Sequence, residues 1–176
     1  MMDRRTLLAF AVAAPVALSG CGWTPLYADI EAGPASEELR TIRVDPIPER
    51  IGQRLEIALR NSLNPTGEPS TERYRLRTSL ATYLSNLGIQ SQGLATLGKL
   101  DVYVTYYLVD VQSGTNLLAN TVHVANSFDL NPNQYSTVVG EDDVAVRSVA
   151  ELDREIVTRL TLFIQRRIAE KSPKPG

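Results

Sequence analysis

The sequence predicts an α+β fold: a two-layer sandwich of two helices packed on a four-stranded, mainly antiparallel sheet, in the order β-α-β-β-β-α. Three observations predict it. Two segments repeat apolar residues at helical spacing, four segments carry apolar residues at alternate positions as strands do, and turns that contain glycine separate the last three strands. Two apolar helix stripes and one apolar sheet face together enclose one hydrophobic layer.

The first strand and the first helix are predicted over 39–47 and 49–63. Ile42 and Val44 alternate with charged residues, and prolines end the strand. The helix keeps its apolar residues on one stripe, and Pro48 suits its first turn. Because a helix joins this strand to the next, we expect the strand to lie beside the others through a crossover connection.

The next three strands are predicted over 72–84, 100–111 and 115–128, as an antiparallel meander. Apolar residues occupy alternate positions, so they share one sheet face. Glycines mark the first turn, and Ser113-Gly114 marks a tight second turn. The strand over 100–111 is also apolar on its second face.

The last helix is predicted over 141–168, after a loop over 131–140. Its apolar stripe continues for about seven turns of 3.6 residues. The three acids at 141–143 complement the positive N-terminus of a helix, although such a cluster also leaves divalent-cation binding open. Residues 172–176 are expected to be a disordered tail.

The composition argues against most enzyme classes. The chain has 176 residues, with 18 Lys and Arg against 20 Asp and Glu for a net charge of −2, and a single Cys and a single His. One Cys excludes internal disulfides and cysteine clusters, and one His excludes multi-histidine metal sites. The balanced charge argues against nucleic-acid binding. With His123 interpreted as a structural residue, we expect no catalysis and no cofactor.

Residues 1–20 have the features of a lipoprotein signal peptide. Arg4 and Arg5 precede an uncharged apolar stretch over 6–18, and the motif Leu-Ser-Gly-Cys ends at Cys21. This motif resembles a bacterial lipobox, whose cysteine is lipidated and becomes the mature N-terminus. The alternative is an ordinary secretory peptide that ends near a buried cysteine. The arginine pair also leaves twin-arginine export open beside the general route.

The mature chain divides into three parts. Residues 21–38 are predicted to be the lipidated cysteine and a tether, 39–171 a single α+β domain, and 172–176 the tail. No second apolar stretch reaches the roughly 20 residues of a membrane span. We therefore expect the acyl chains to be the only membrane anchor, and two or more chains anchor firmly.

The start of the mature chain carries the most specific motif, Cys-Gly-Trp-Thr-Pro-Leu-Tyr over 21–27. With the lipobox and the element order, it resembles the lipopolysaccharide-assembly lipoproteins, the LptE family, whose members often begin C-G-[FW]-x-P-L-Y. The resemblance implies a non-enzymatic lipoprotein on the periplasmic side of the outer membrane. It would plug and help assemble the β-barrel of the lipopolysaccharide translocon, and help deliver lipopolysaccharide to the outer leaflet, by binding it.

Four cations are the candidate lipopolysaccharide-binding residues: Arg73, Arg75, Arg77 and Lys99. Side chains alternate between the two faces of a strand, so the three arginines, two residues apart, share one face, and Lys99 begins the neighbouring strand. Arginine binds phosphate bidentately, and lysine binds it as a point charge. The alternative is a solvated face with ordinary cross-strand pairs. For the whole protein, the alternatives are an auxiliary lipoprotein of another envelope lipid-transport system and a periplasmic hydrolase of unusual chemistry.

Overall fold

The computed structural model describes residues 33–89, 95–130 and 134–171. The predicted signal peptide, Cys21 and the tail over 172–176 lie outside these residues. The elements are α1 (Pro34–Leu39), β1 (Ile42–Val44), α2 (Arg50–Leu63), β2 (Tyr74–Ile89), β3 (Ala95–Asp110), β4 (Asn116–Asp129) and α3 (Gln134–Lys171). The predicted α+β class is confirmed, with α1 as an additional short helix in front of β1.

The sheet has the strand order β1-β2-β3-β4. Strands β2, β3 and β4 form the predicted antiparallel meander, and β1 pairs in parallel with β2. A parallel neighbour requires a crossover, and α2 supplies it. We call the end of the sheet at Tyr74 and Asp110 the proximal end, and the end at Leu84 and Leu100 the distal end; each of these pairs lies in register.

The core lies between one face of the sheet, the inner face, and the helices. Side chains at alternate strand positions meet the apolar stripes of α2 and α3, as predicted. Fully buried members of this core include Leu55, Leu59, Leu76, Val104, Leu108, Leu152, Ile156 and Leu160. The opposite, outer face of the sheet has no helix packed on it among the described elements.

The tether was expected to reach residue 38, but the described chain already forms α1 over Pro34–Leu39. Pro34 occupies the first turn, where its fixed φ suits a helix. Ala35 and Leu39 are buried, and α1 packs against α3. The expectation was wrong here because a six-residue helix is too short to show a helical period.

Helix α3 begins at Gln134 and not at Glu141. The acids at 141–143 therefore lie about two turns inside the helix, and most of the predicted loop over 131–140 is helical. Gly140, the last residue of the predicted loop, lies inside the helix and allows close packing, because a Cβ there would lie 3.3 Å from the Phe128 ring. Among the described residues, no helix combines the length and apolar character that a bilayer span needs.

Candidate functional site

The three candidate arginines each lie beside a carboxylate at the proximal end. Arg73 Nη1 is 2.7 Å from Glu38 Oε1, and Arg75 Nη2 is 2.7 Å from Glu72 Oε1. Arg77 is held most loosely, with Nε 3.7 Å from a carboxylate oxygen of Asp45. The structure therefore brings the arginines together as predicted, but in an environment that largely neutralises them.

Lys99 does not join the arginines. The antiparallel register places Lys99 opposite Ser85, eight residues beyond Arg77 along β2. At about 3.3 Å per residue this separation is roughly 26 Å. The prediction that groups Lys99 with the three arginines is wrong, because the start of β3 lies beside the end of β2 in a hairpin. Lys99 Nζ instead lies 2.9 Å from Asp101 Oδ1, at the distal end.

An aromatic cluster crosses the outer face between the two ends. The Tyr103 and His123 rings stack, with centroids 4.2 Å apart and planes 10° from parallel. Tyr83 meets Tyr103 edge-on at 5.9 Å. The sequence indicated this cluster only through the second apolar face of β3, which includes Tyr103. The stacking of Tyr103 on His123 depends on the β3–β4 register, which places the two residues opposite each other.

His123 lies in the middle of β4, as predicted, but points to the exposed outer face. Its Nε2 is 2.9 Å from Asp101 Oδ1. Hydrogen bonds from Lys99 and then from His123 lower the pKa of Asp101. This pairing and the stacking on Tyr103 are consistent with a structural histidine, and its lack of a catalytic role stays a prediction.

A cleft opens at the distal end, between the N-terminal halves of α2 and α3 and the inner face of β2 and β3. It encloses about 490 Å³, which lies in the range of ligand pockets. Its apolar lining includes Ile51, Leu84, Leu100, Val138, Val139 and Val144. Sequence reasoning did not find this cleft, because its walls come from four separate elements.

Two of the three acids at 141–143, Asp142 and Asp143, pair with arginines. Asp142 Oδ1 accepts hydrogen bonds from Arg50 at 3.1 Å and Arg54 at 2.7 Å, which ties α3 to α2 at the rim of the cleft. Asp143 accepts one from Arg147 at 3.0 Å. Within the described parts of the chain, no group of three or more His, Cys, Asp or Glu side chains is placed to hold a metal ion.

Comparison with known proteins identifies the fold. No family model and no curated protein matches the sequence. A candidate lipoprotein from Caulobacter crescentus CB15 aligns with a TM-score of 0.62 and 20% identity, over 74% of this chain and 96% of that one. The rare lipoprotein B from Shewanella oneidensis aligns with a TM-score of 0.53 and 12% identity, over 72% and 96%. The chain thus has a fold that is also found in small bacterial lipoproteins.

Proposed function

We propose that this protein is a non-enzymatic outer-membrane lipoprotein that plugs and helps assemble the barrel of the lipopolysaccharide translocon. In this role it takes part in delivering lipopolysaccharide to the outer leaflet. The observation that carries the proposal is the combination of two independent features. A lipobox ends at Cys21, followed by the motif over 21–27, and the domain behind it has a fold shared with small lipoproteins.

The surface of the domain supports a broad contact with a protein wall. Small and polar side chains occupy most of the outer face, among them Ser79, Ala81, Thr105, Thr121 and Ala125. Exposed tyrosines stand between them, and tyrosine is enriched at protein interfaces. Wide barrels have polar interiors that other segments can fill. An exposed, mainly polar sheet face is suited to such an interior.

Purification of the tagged, lipidated protein from detergent-solubilised envelopes tests the proposal. We expect a large outer-membrane β-barrel to co-purify and to be identified by mass spectrometry. The Cys21→Ala variant, which cannot be lipidated at this position, should lose membrane anchoring or remain uncleaved. An unmodified Cys21 thiol on the mature wild-type protein would contradict the lipoprotein assignment. Co-purification of a different lipid-transport complex would favour the auxiliary lipoprotein instead.

A further inference from the structure

The two outer edges of the meander differ in how their backbone groups are covered. At the β4 edge, Arg159 Nη1 donates to the Thr121 carbonyl at 3.3 Å, and Arg147 Nη2 donates to the Ser127 carbonyl at 3.4 Å. Both arginines come from α3. Charged side chains placed over an edge strand obstruct pairing with another strand. The β4 edge is therefore partly capped.

The β2 edge is open over most of its length. β1 covers only Tyr74–Leu76, and one further bond runs from Asp45 N–H to the Leu76 carbonyl at 3.0 Å. Backbone groups of alternate residues point to the same edge. The N–H and C=O groups that follow Leu76 on this side belong to Thr78, Leu80, Thr82, Leu84 and Asn86. Among the described residues, no strand pairs with them.

The open edge also lacks the sequence features that protect natural edge strands. Residues 78–87 contain no charged residue and no proline, and both usually discourage strand addition. Below this edge lies the distal cleft, of which Leu84 forms one wall while remaining 56% exposed. A residue placed opposite Leu84 on a neighbouring strand would point to the same face, and would therefore enter the cleft.

We propose that the β2 edge over 78–86 binds an extended strand of a partner protein, whose alternate apolar side chains enter the distal cleft. The ligand is a polypeptide because only a backbone offers donors and acceptors at the spacing of a strand, and recessed pockets for alternate side chains then select its sequence. A second copy of β2, paired about Thr82, would place only Leu80 opposite Leu84 and leave most of the cleft unfilled. This site goes beyond the proposed function and does not depend on the identity of the barrel.

A defined peptide tests the site on the mature lipidated protein in nanodiscs. The probe is the end-blocked peptide Lys-Thr-Leu-Thr-Leu-Thr-Leu-Thr-Lys, and its affinity is measured by calorimetry. Thr82→Pro removes an N–H that points to the open edge and leaves the β2–β3 ladder intact, because proline is tolerated at that side of an edge strand. Ala125→Pro, which removes an N–H that points to the partly capped edge of β4, is the matched control.

We expect the wild-type protein to bind the peptide, Thr82→Pro to weaken binding at least about tenfold, and Ala125→Pro to leave it unchanged. Slowed exchange of the Leu80 and Leu84 amides should accompany binding. If Thr82→Pro is unfolded, Leu84→Asp in the cleft replaces it with the same expectation. The proposal is overturned if the wild type does not bind, if the edge variant binds equally well, or if the wild type forms a dimer that Thr82→Pro abolishes.

Discussion

The two ends of the sheet are built differently. At the proximal end the Tyr74 ring is buried, its hydroxyl donates to Glu38 at 2.5 Å, and Arg73 pairs with the same carboxylate. At the distal end Leu84 and Leu87 are 56% and 41% exposed. The proximal end is thus fixed by contacts from several elements, while β2 keeps apolar side chains in solvent at the distal end, although Leu100 on β3 is buried there. The proximal end therefore stabilises the fold, whereas the distal end of β2 is available for binding.

Element lengths explain the difference. The 16 residues of β2 extend over about 53 Å at 3.3 Å per residue, whereas the 14 residues of α2 extend over only about 21 Å. The 38-residue α3 is long enough to follow the sheet, but among the strands it packs mainly on β4. The distal half of β2 therefore has no helix of its own to cover it, and the cleft results.

Truncation of two leucines on the same face of β2 should give the largest contrast. Leu76 is fully buried, so Leu76→Ala should lower the free energy of unfolding by about 2–5 kcal/mol. Leu84→Ala should lower it by less than about 1 kcal/mol, because little contact is lost from an exposed side chain. Urea unfolding measures both values. Equal losses would show that the distal end is packed as tightly as the proximal end.

High pH should act through the proximal end. Burial, followed by the hydrogen bond to Glu38, raises the pKa of Tyr74 to about 12. Because the unfolded chain releases this proton near pH 10 and the folded chain does not, stability falls as pH rises from about 10 to 12. The loss should reach about 2–3 kcal/mol. Tyr74→Phe should remove the contribution of Tyr74 and leave that of the buried Tyr106, whose pKa burial also raises. Tyr83→Phe, at an exposed distal position, should retain the full pH dependence in chemical denaturation.

Gly98 tests whether any part of the distal end is tightly packed. A Cβ at Gly98 would overlap Cζ of Phe128, so the ring must move in Gly98→Ala. We expect a loss of about 1–3 kcal/mol in the free energy of unfolding. Gly140→Ala, with a closest contact of 3.3 Å to the same ring, should cost less. If Gly98→Ala costs nothing, the distal packing is looser than the structure indicates.

The candidate cations should give the smallest effects. Arg77 and Lys99 are surface side chains with single carboxylate partners, so Arg77→Gln and Lys99→Gln should each change stability by less than about 0.5 kcal/mol. If the distal end is the binding end, Lys99→Gln should weaken binding to purified lipopolysaccharide about two- to fivefold, and Arg77→Gln less. The opposite order would assign lipopolysaccharide to the proximal arginines.

The spacing of apolar residues along the sequence predicted which side chains share a face. It did not predict which residues from distant segments lie together. Alternation placed Leu76 and Leu108 on the inner face and the arginines on the outer one. It did not show that Lys99 lies far from Arg77, because that distance depends on the length and register of the hairpin. Helix α1 is too short to show a repeat of apolar residues at helical spacing. The distal cleft depends on how far α2 extends along β2, which the sequence does not show.

Hydrogen exchange along the β2–β3 hairpin tests most directly whether the distal half of β2 is left open. Amides that pair with β3 can be followed at both ends by NMR on the mature protein. We expect those of Arg75 and Arg77 to exchange only through global unfolding, and those of Tyr83 and Ser85 to exchange about a hundredfold faster through local opening. Uniform protection from Arg75 to Ser85 would show instead that the distal half of β2 is as firmly held as the proximal half.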